Sequence, residues 1–325
     1  MSSVQTCVVT GAAGFIGSHL CEKLLALGRE VVGIDAFIDY YPRAIKEQNL
    51  AACLHHPNFR FHEIDLRRDA LDGVLARAEV VYHLAAMAGL TQSWIKFDDY
   101  LSCNVQATQR LLEAVRRSAA GLRRFVYAST SSVYGLYASG DESLPTKPVS
   151  PYGVTKLAGE NLCRAYLDSY ELPVVILRFF SVYGPRQRPD MGYHRFIQAL
   201  LQEEPVVVYG DGQQARGNTF VADCVQATLE ATEAAPGEVF NVGGGETANV
   251  WEILEKLEAI SGRTFVKRRE PARAGDQRFT AADTRKLLHH FGWSPRTSLR
   301  EGLTQQWEWQ RQAWTNVGRQ GPPQR

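Results

Sequence analysis

A strand-like run, Thr6 to Thr10, passes without a break into Gly11-Ala12-Ala13-Gly14-Phe15-Ile16-Gly17 and then into a helical pattern from Ser18 to Leu27. Few features restrict a fold so strongly. Glycines at such places permit a tight turn, let backbone N–H groups approach a pyrophosphate, and let the helix pack close to the strand, while the helix N-terminus adds partial positive charge. Glycines alone also occur in ordinary strand-helix turns, so the surroundings carry the weight. Glu30 to Ile34 reads as a second strand ending at Asp35, roughly 20 residues on, where a carboxylate accepts hydrogen bonds from an adenosine ribose. A carboxylate there repels a 2′-phosphate, so the expected cofactor is NAD rather than NADP.

Further short apolar runs follow at Phe59 to Ile64, Val80 to Leu84, Phe125 to Ala128 and Val174 to Leu177, separated by helical stretches. Strands alternating with helices predict an α/β protein with a doubly wound parallel sheet, whose ligands lie at the C-terminal strand ends. Asp65 and Leu66 stand at one such end, suited to adenine, and Leu84, Ala85 and Ala86 at another, beside the cofactor path; Asn104 follows in a helix. With Gly11, Gly14, Phe15, Ile16, Gly17 and Asp35, they make up the expected dinucleotide site. His83, on an apolar strand, reads as a packed core histidine rather than a catalyst.

Composition excludes several function classes. With 36 basic and 35 acidic residues the net charge is +1, which argues against bulk electrostatic binding of nucleic acid or a membrane surface. The six cysteines are scattered with no CxxC pair, so a reducing compartment and no metal site are expected. No basic segment followed by a long apolar stretch opens the chain, and the expected location is cytoplasmic.

The chemistry is carried by Ser150-Pro151-Tyr152-Gly153-Val154-Thr155-Lys156. A proline opening a helix, followed by Tyr and Lys at i,i+4 spacing, sets an ammonium beside a phenol, and a nearby cation favours the phenolate. The same spacing recurs on many solvent-facing helices. Upstream, a strand ends in Ala128-Ser129-Thr130-Ser131-Ser132-Val133-Tyr134-Gly135, a hydroxyl cluster. Glycine turn, Asp35, hydroxyl cluster and Tyr-x3-Lys in this order resemble the extended short-chain dehydrogenase/reductase family, and within it the nucleotide-sugar epimerases. Arg178-Phe179-Phe180-Ser181-Val182-Tyr183-Gly184-Pro185-Arg186 adds to the likeness.

The resemblance implies a catalytic triad of Thr130, Tyr152 and Lys156. Tyr152, as a phenolate, would take the proton of a sugar hydroxyl while NAD accepts the hydride from the same carbon, and Thr130 would hydrogen-bond that oxygen. A 4-keto sugar that then turns over receives the hydride on its other face, so C4 inverts without net oxidation. Relatives that dehydrate or decarboxylate typically carry a Glu two positions after the catalytic Ser or Thr, often after an Asp. Here Ser131 and Ser132 stand instead, which favours an epimerase.

The same resemblance implies an NAD-binding domain over residues 1–179, with 218–243 returning to it, an interleaved UDP-sugar domain over 180–310 and a frayed tail over 311–325. Gly184-Pro185-Arg186-Gln187-Arg188-Pro189-Asp190 reads as a turn whose arginines suit a diphosphate or carboxylate. Arg216 and, in a later loop, Asp276 are placed near the nucleotide. Overall likeness is greatest to bacterial UDP-glucuronate 4-epimerases, and Thr130, Ser131, Ser132 and Ser181 offer hydroxyl donors for a C6 carboxylate. They would also hold the neutral CH2OH of UDP-glucose, which leaves a UDP-glucose or UDP-GlcNAc 4-epimerase and, further off, a UDP-glucuronate decarboxylase as alternatives. Thr91, Gly217 and Asn218 depart from the family pattern, which often has an arginine at the first position and Asp-Phe at the others. Helices near 104–118 and 152–170 resemble those that pair in dimers of relatives, so a homodimer is expected.

Overall fold

The computed structural model describes residues 5–272 and 277–319. Every residue of the strand Thr6–Thr10 is buried, as in a strand covered on both faces. Its side chains separate with period two: Cys7 and Val9 join one hydrophobic cluster and Val8 another, so a core lies on each side of the sheet.

Seven strands form this sheet. Across it run Val239–Val242, Val174–Phe179, Arg124–Thr130, Val80–His83, Thr6–Thr10, Glu30–Asp35 and Phe59–Glu63, and every neighbouring pair is parallel. The order reverses between Thr6–Thr10 and Val80–His83, where successive crossovers leave in opposite directions and a crevice opens at the strand ends. The expected doubly wound sheet is therefore present, and Val239–Val242 is its outermost strand beside Val174–Phe179.

A smaller sheet contains Thr247–Asn249, Ala215–Gly217, Phe279–Ala282 and Tyr137–Gly140. Its last member comes from within residues 1–179, which the sequence assigns wholly to the dinucleotide domain. The reason is local: Gly135 has φ of +99°, a conformation that turns the chain away from the main sheet, and Tyr137–Gly140 then pairs with Phe279–Ala282. Each half thus lends a strand to the other.

The C-terminal segment also differs from expectation. A helix spans Leu299–Arg319, so residues 311–319 are helical rather than frayed. Leu299, Leu303 and Trp307 recur every fourth residue on its buried face. Gln306 accepts from the Gly184 N–H at 2.9 Å and Gln310 donates to the His194 carbonyl at 3.0 Å, tying the helix down over its middle. Among the described residues, no helix is long and apolar enough to cross a membrane.

Candidate active site

The glycine turn forms one wall of a cavity of about 820 Å³ at the sheet's switch point. Gly11 has φ of +72°, and a Cβ there would lie 2.8 Å from the Ala85 nitrogen; a Cβ on Gly17 would lie 2.1 Å from the Gly11 carbonyl oxygen. Side chains are excluded from this cradle. The helix Phe15–Ala26 begins at Gly14 with no side-chain cap, so its first N–H groups are left for an anion. Asp35, at the end of the next strand, accepts from the Phe37 N–H at 2.9 Å and the Ala13 N–H at 3.2 Å. Burial pushes its carboxyl above the usual value, against the pull of Lys46, whose ammonium is 3.9 Å away.

At the other end of the cavity stand Thr130, Tyr152 and Lys156. The helix Pro151–Tyr170 starts on Ser150, whose hydroxyl accepts from the Gly153 N–H at 3.1 Å, with Pro151 in the first turn. Tyr152 and Lys156 are thereby placed on the face toward the strand Arg124–Thr130. Burial governs both groups. It pushes the Tyr152 phenol above its ordinary value, while the Thr130 hydroxyl and the Arg188 guanidinium pull the other way. The Lys156 ammonium, over the Tyr127 ring at 4.2 Å, is brought down to about 8 by burial. The sequence predicts a phenolate held by Lys156; within the chain alone, desolvation keeps the phenol above its ordinary value, and the Arg188 guanidinium pulls against it. After Thr130 the chain makes a short 3-10 turn, Ser131–Tyr134, with the Ser132 N–H donating to Thr130 Oγ1 at 3.2 Å. Thr130, Ser131, Ser132 and Ser181 all line the cavity. Ser129 is committed elsewhere, donating to Glu160 at 2.6 Å, and Glu160 in turn is held by Arg178 at 2.8 and 2.9 Å.

Residues 7–243 match the family model described as the NAD dependent epimerase/dehydratase family. The chain belongs to this family. A protein of Bacillus subtilis described as an uncharacterized UDP-glucose epimerase is 46% identical over 91% of this chain and 95% of its own length. The UDP-glucuronate 4-epimerase of Thermodesulfobacterium geofontis is 35% identical over 94% and 96%. The crystal structure of a Bacillus cereus UDP-glucuronic acid 4-epimerase, in complex with UDP-glucuronic acid and NAD, superimposes with a TM-score of 0.92 at 43% identity, covering 95% of this chain and all of that one.

As in an NAD-dependent member of the family, the cradle fits the cofactor. The glycine turn with the helix N-terminus suits its pyrophosphate, and Asp35 suits an adenosine ribose. Phe15, Ile16, Asp65, Leu66, Leu84, Ala85 and Ala86 also line the cavity. Asp65 is more than a cavity wall, since it holds Arg67 at 2.8 Å and Arg68 at 3.3 Å. Asn104 lies behind the wall instead. It is 1% exposed, accepts from the Met87 N–H at 2.8 Å and donates to the Met87 carbonyl and to Thr155 Oγ1, joining a strand-end loop to the Tyr152 helix. His83 is a core residue, 1% exposed between the hydroxyls of Thr10 at 2.8 Å and Thr108 at 2.9 Å, and burial takes its imidazole down to about 3.

On the sugar side Arg188 and Arg216 line the cavity, whereas Arg186 turns away to Glu22 at 2.5 Å. Asp276 lies outside the described residues. Asn218 does structural duty, accepting from the Tyr193 hydroxyl and donating to the Arg216 and Glu246 carbonyls. Thr91 lines the cavity, as do Lys46, Arg195 and Gln277, which the sequence reading missed. For Lys46 a signal existed: on the helix Arg43–Leu54 the buried positions are Lys46, Asn49, Leu50 and Cys53, so a lysine occupies a stripe that ought to be apolar. Among the described residues, no cluster of three or more His, Cys, Asp or Glu could hold a metal.

Proposed function

We propose that this chain inverts C4 of a UDP-sugar and that UDP-glucuronate, converted to UDP-galacturonate, is its principal substrate. The observation that carries the reading is the turn after Thr130: Ser131 and Ser132 face the cavity with Tyr152, where elimination chemistry would need carboxyl groups. Tyr152 takes the C4 hydroxyl proton, Thr130 hydrogen-bonds the same oxygen, and Lys156 supplies positive charge beside them. Bound NAD supplies a hydride acceptor that is also the donor for the return step, so no redox equivalent is consumed. The hydroxyls of Thr130, Ser131, Ser132 and Ser181 are donors for a C6 carboxylate. A 4-keto uronic acid is a β-keto acid prone to lose CO2, and donors that hold the carboxylate away from the cleavage orientation suppress that loss.

The second reading is a UDP-glucose 4-epimerase, favoured by the description of the Bacillus subtilis relative. Incubation of the protein, without added NAD, with UDP-glucuronate, UDP-glucose, UDP-xylose and UDP-GlcNAc separates them by the NMR spectra of the products. C4 inversion of UDP-glucuronate well ahead of UDP-glucose supports the first reading. Sustained appearance of NADH or CO2 would sink both.

The protein acts as a homodimer in this reading, in a reducing, cytoplasmic setting. Support for the dimer comes from Trp94, Ile95, Phe97, Leu101 and Val154, large apolar side chains left exposed on helices that pack around Pro151–Tyr170. Support for the setting comes from six cysteines that are all free and buried. Light scattering of the parent and of Ile95→Asp should give a dimer and a monomer respectively; a monomeric parent refutes the assembly.

A further inference from the structure

Three segments meet at the solvent edge of the cavity, around Tyr40. Its hydroxyl donates to Asp190 Oδ2 at 3.1 Å, joining the loop that follows the Asp35 strand to the loop that carries Arg188. Both residues line the cavity, so the bond crosses it from the dinucleotide half to the sugar half. We propose that Tyr40 and Asp190 form a latch that keeps the dinucleotide in its site between turnovers. The inference rests on the C4-epimerase reading: an enzyme that returns the hydride it has taken must not lose its cofactor midway, since loss would leave an oxidised sugar and a reduced dinucleotide.

The parts of the latch are held before they meet. Asp190 accepts two hydrogen bonds from Arg188, each 2.9 Å, and the Arg188 guanidinium lies 5.7 Å from the Tyr40 ring centre. The Tyr40 loop is pinned from beneath by the Lys46 ammonium, which donates to the Ile38 carbonyl at 3.0 Å, and the Tyr40 N–H donates to the same carbonyl at 2.8 Å. Opposite, the loop at residues 88 and 89 makes room for the ring. Gly89 has φ of +104°, and a Cβ there would stand 2.6 Å from the Tyr40 hydroxyl oxygen. Tyr100 fixes that loop by donating to the Ala88 and Gly89 carbonyls at 2.8 and 2.9 Å. Little conformational entropy remains to be lost when the bond forms, so its full strength opposes opening.

The test is the rate at which bound NAD leaves. Protein loaded with radiolabelled NAD is diluted into excess unlabelled NAD, with no sugar present, and retained label is followed by filtration. Tyr40→Phe and Asp190→Ala, each of which removes the Tyr40–Asp190 bond, should each speed release about tenfold, as the loss of a hydrogen bond to a charged group does. The double variant should be no faster than the quicker single, because both remove the same contact. Gly89→Ala, which displaces the Tyr40 ring, should behave likewise. Unaltered melting temperatures of the NAD-free variants would show that the effect is on the latch and not on folding. Release within about twofold of the parent in both single variants, or effects that multiply in the double, would overturn the proposal. Because no sugar is present, either outcome leaves the epimerase reading standing on its own product assay, and failure of that assay leaves the release rates intact.

Discussion

Tyr152 and Lys156 are both taken out of water, and burial acts on them in opposite senses: it resists the phenolate and resists the ammonium. A general base, the role proposed for Tyr152, contributes about 10²–10⁴ in rate. Tyr152→Phe should therefore lower kcat within that range, while calorimetric binding of UDP stays close to the parent's. Retained turnover would remove Tyr152 from its assigned role. Lys156 gives a stability prediction whose sign follows from linkage. Below pH of about 8 the lysine is protonated in both folded and unfolded chains, and the folded state carries the whole cost of the buried charge. As pH rises from there into the ordinary lysine range, the folded lysine is already neutral while the unfolded one still binds its proton, so the cost fades. Lys156→Met should thus be inactive yet more stable than the parent at neutral pH, by at most about 3 kcal/mol. That advantage should shrink on going from pH 8 toward alkaline values in urea titrations; an advantage independent of pH would mean that the ammonium is not desolvated.

The helix Pro151–Tyr170 sets the height of these groups over the sheet, and one contact governs how close it comes. A Cβ on Gly159 would lie 2.0 Å from the Tyr127 hydroxyl oxygen, which donates to the Lys156 carbonyl at 3.3 Å. Gly159→Ala should lift the helix, costing about 1–3 kcal/mol as overpacking does. It should lower kcat as well, since the base moves with its helix, and Tyr127→Phe in the same chain should recover part of the stability. Thermal unfolding and initial rates on the parent and the two variants check this; a Gly159→Ala variant as active and stable as the parent would show that the backbone is free to adjust. At this scale much was legible in advance. Ser150-Pro151 announces the helix start, and the glycine turn announces its cradle, because both are local devices that work over a few residues. Asn104 was less so. Its residue type fits a cofactor ligand, but its partners Met87 and Thr155 come from two other elements, and only their packing decides that it faces the wall's rear. Arg186 and Arg188 were alike in sequence, and the turn sends one to Glu22 and the other to the cavity.

Taken as a whole, the molecule is less divisible than its sequence suggests. Reading strands in chain order keeps Tyr137–Gly140 with the dinucleotide half, because nothing local to it says that its partner is Phe279–Ala282, and the return of Val239–Val242 to the main sheet is implied by the family resemblance alone. Pairings this distant depend on topology, which periodicity does not encode. Their consequence is cooperative unfolding. Pulling out the smaller sheet strips Tyr137–Gly140 from its neighbour and loosens the turn that carries Ser131 and Ser132, while unfolding the main sheet removes the strand that anchors the later half. Of the six tryptophans only Trp94 precedes residue 180, and Trp293 and Trp307 are buried at 4% and 6% exposure, so tryptophan fluorescence reports mainly on the later half. Far-UV circular dichroism reports on the whole chain. In urea the two signals should trace one transition, as cooperative units do, and NAD, bound only by the folded cavity, should move both midpoints upward together. A fluorescence transition separated from the circular dichroism transition, with NAD shifting only one of them, would mean that the exchanged strands do not couple the halves.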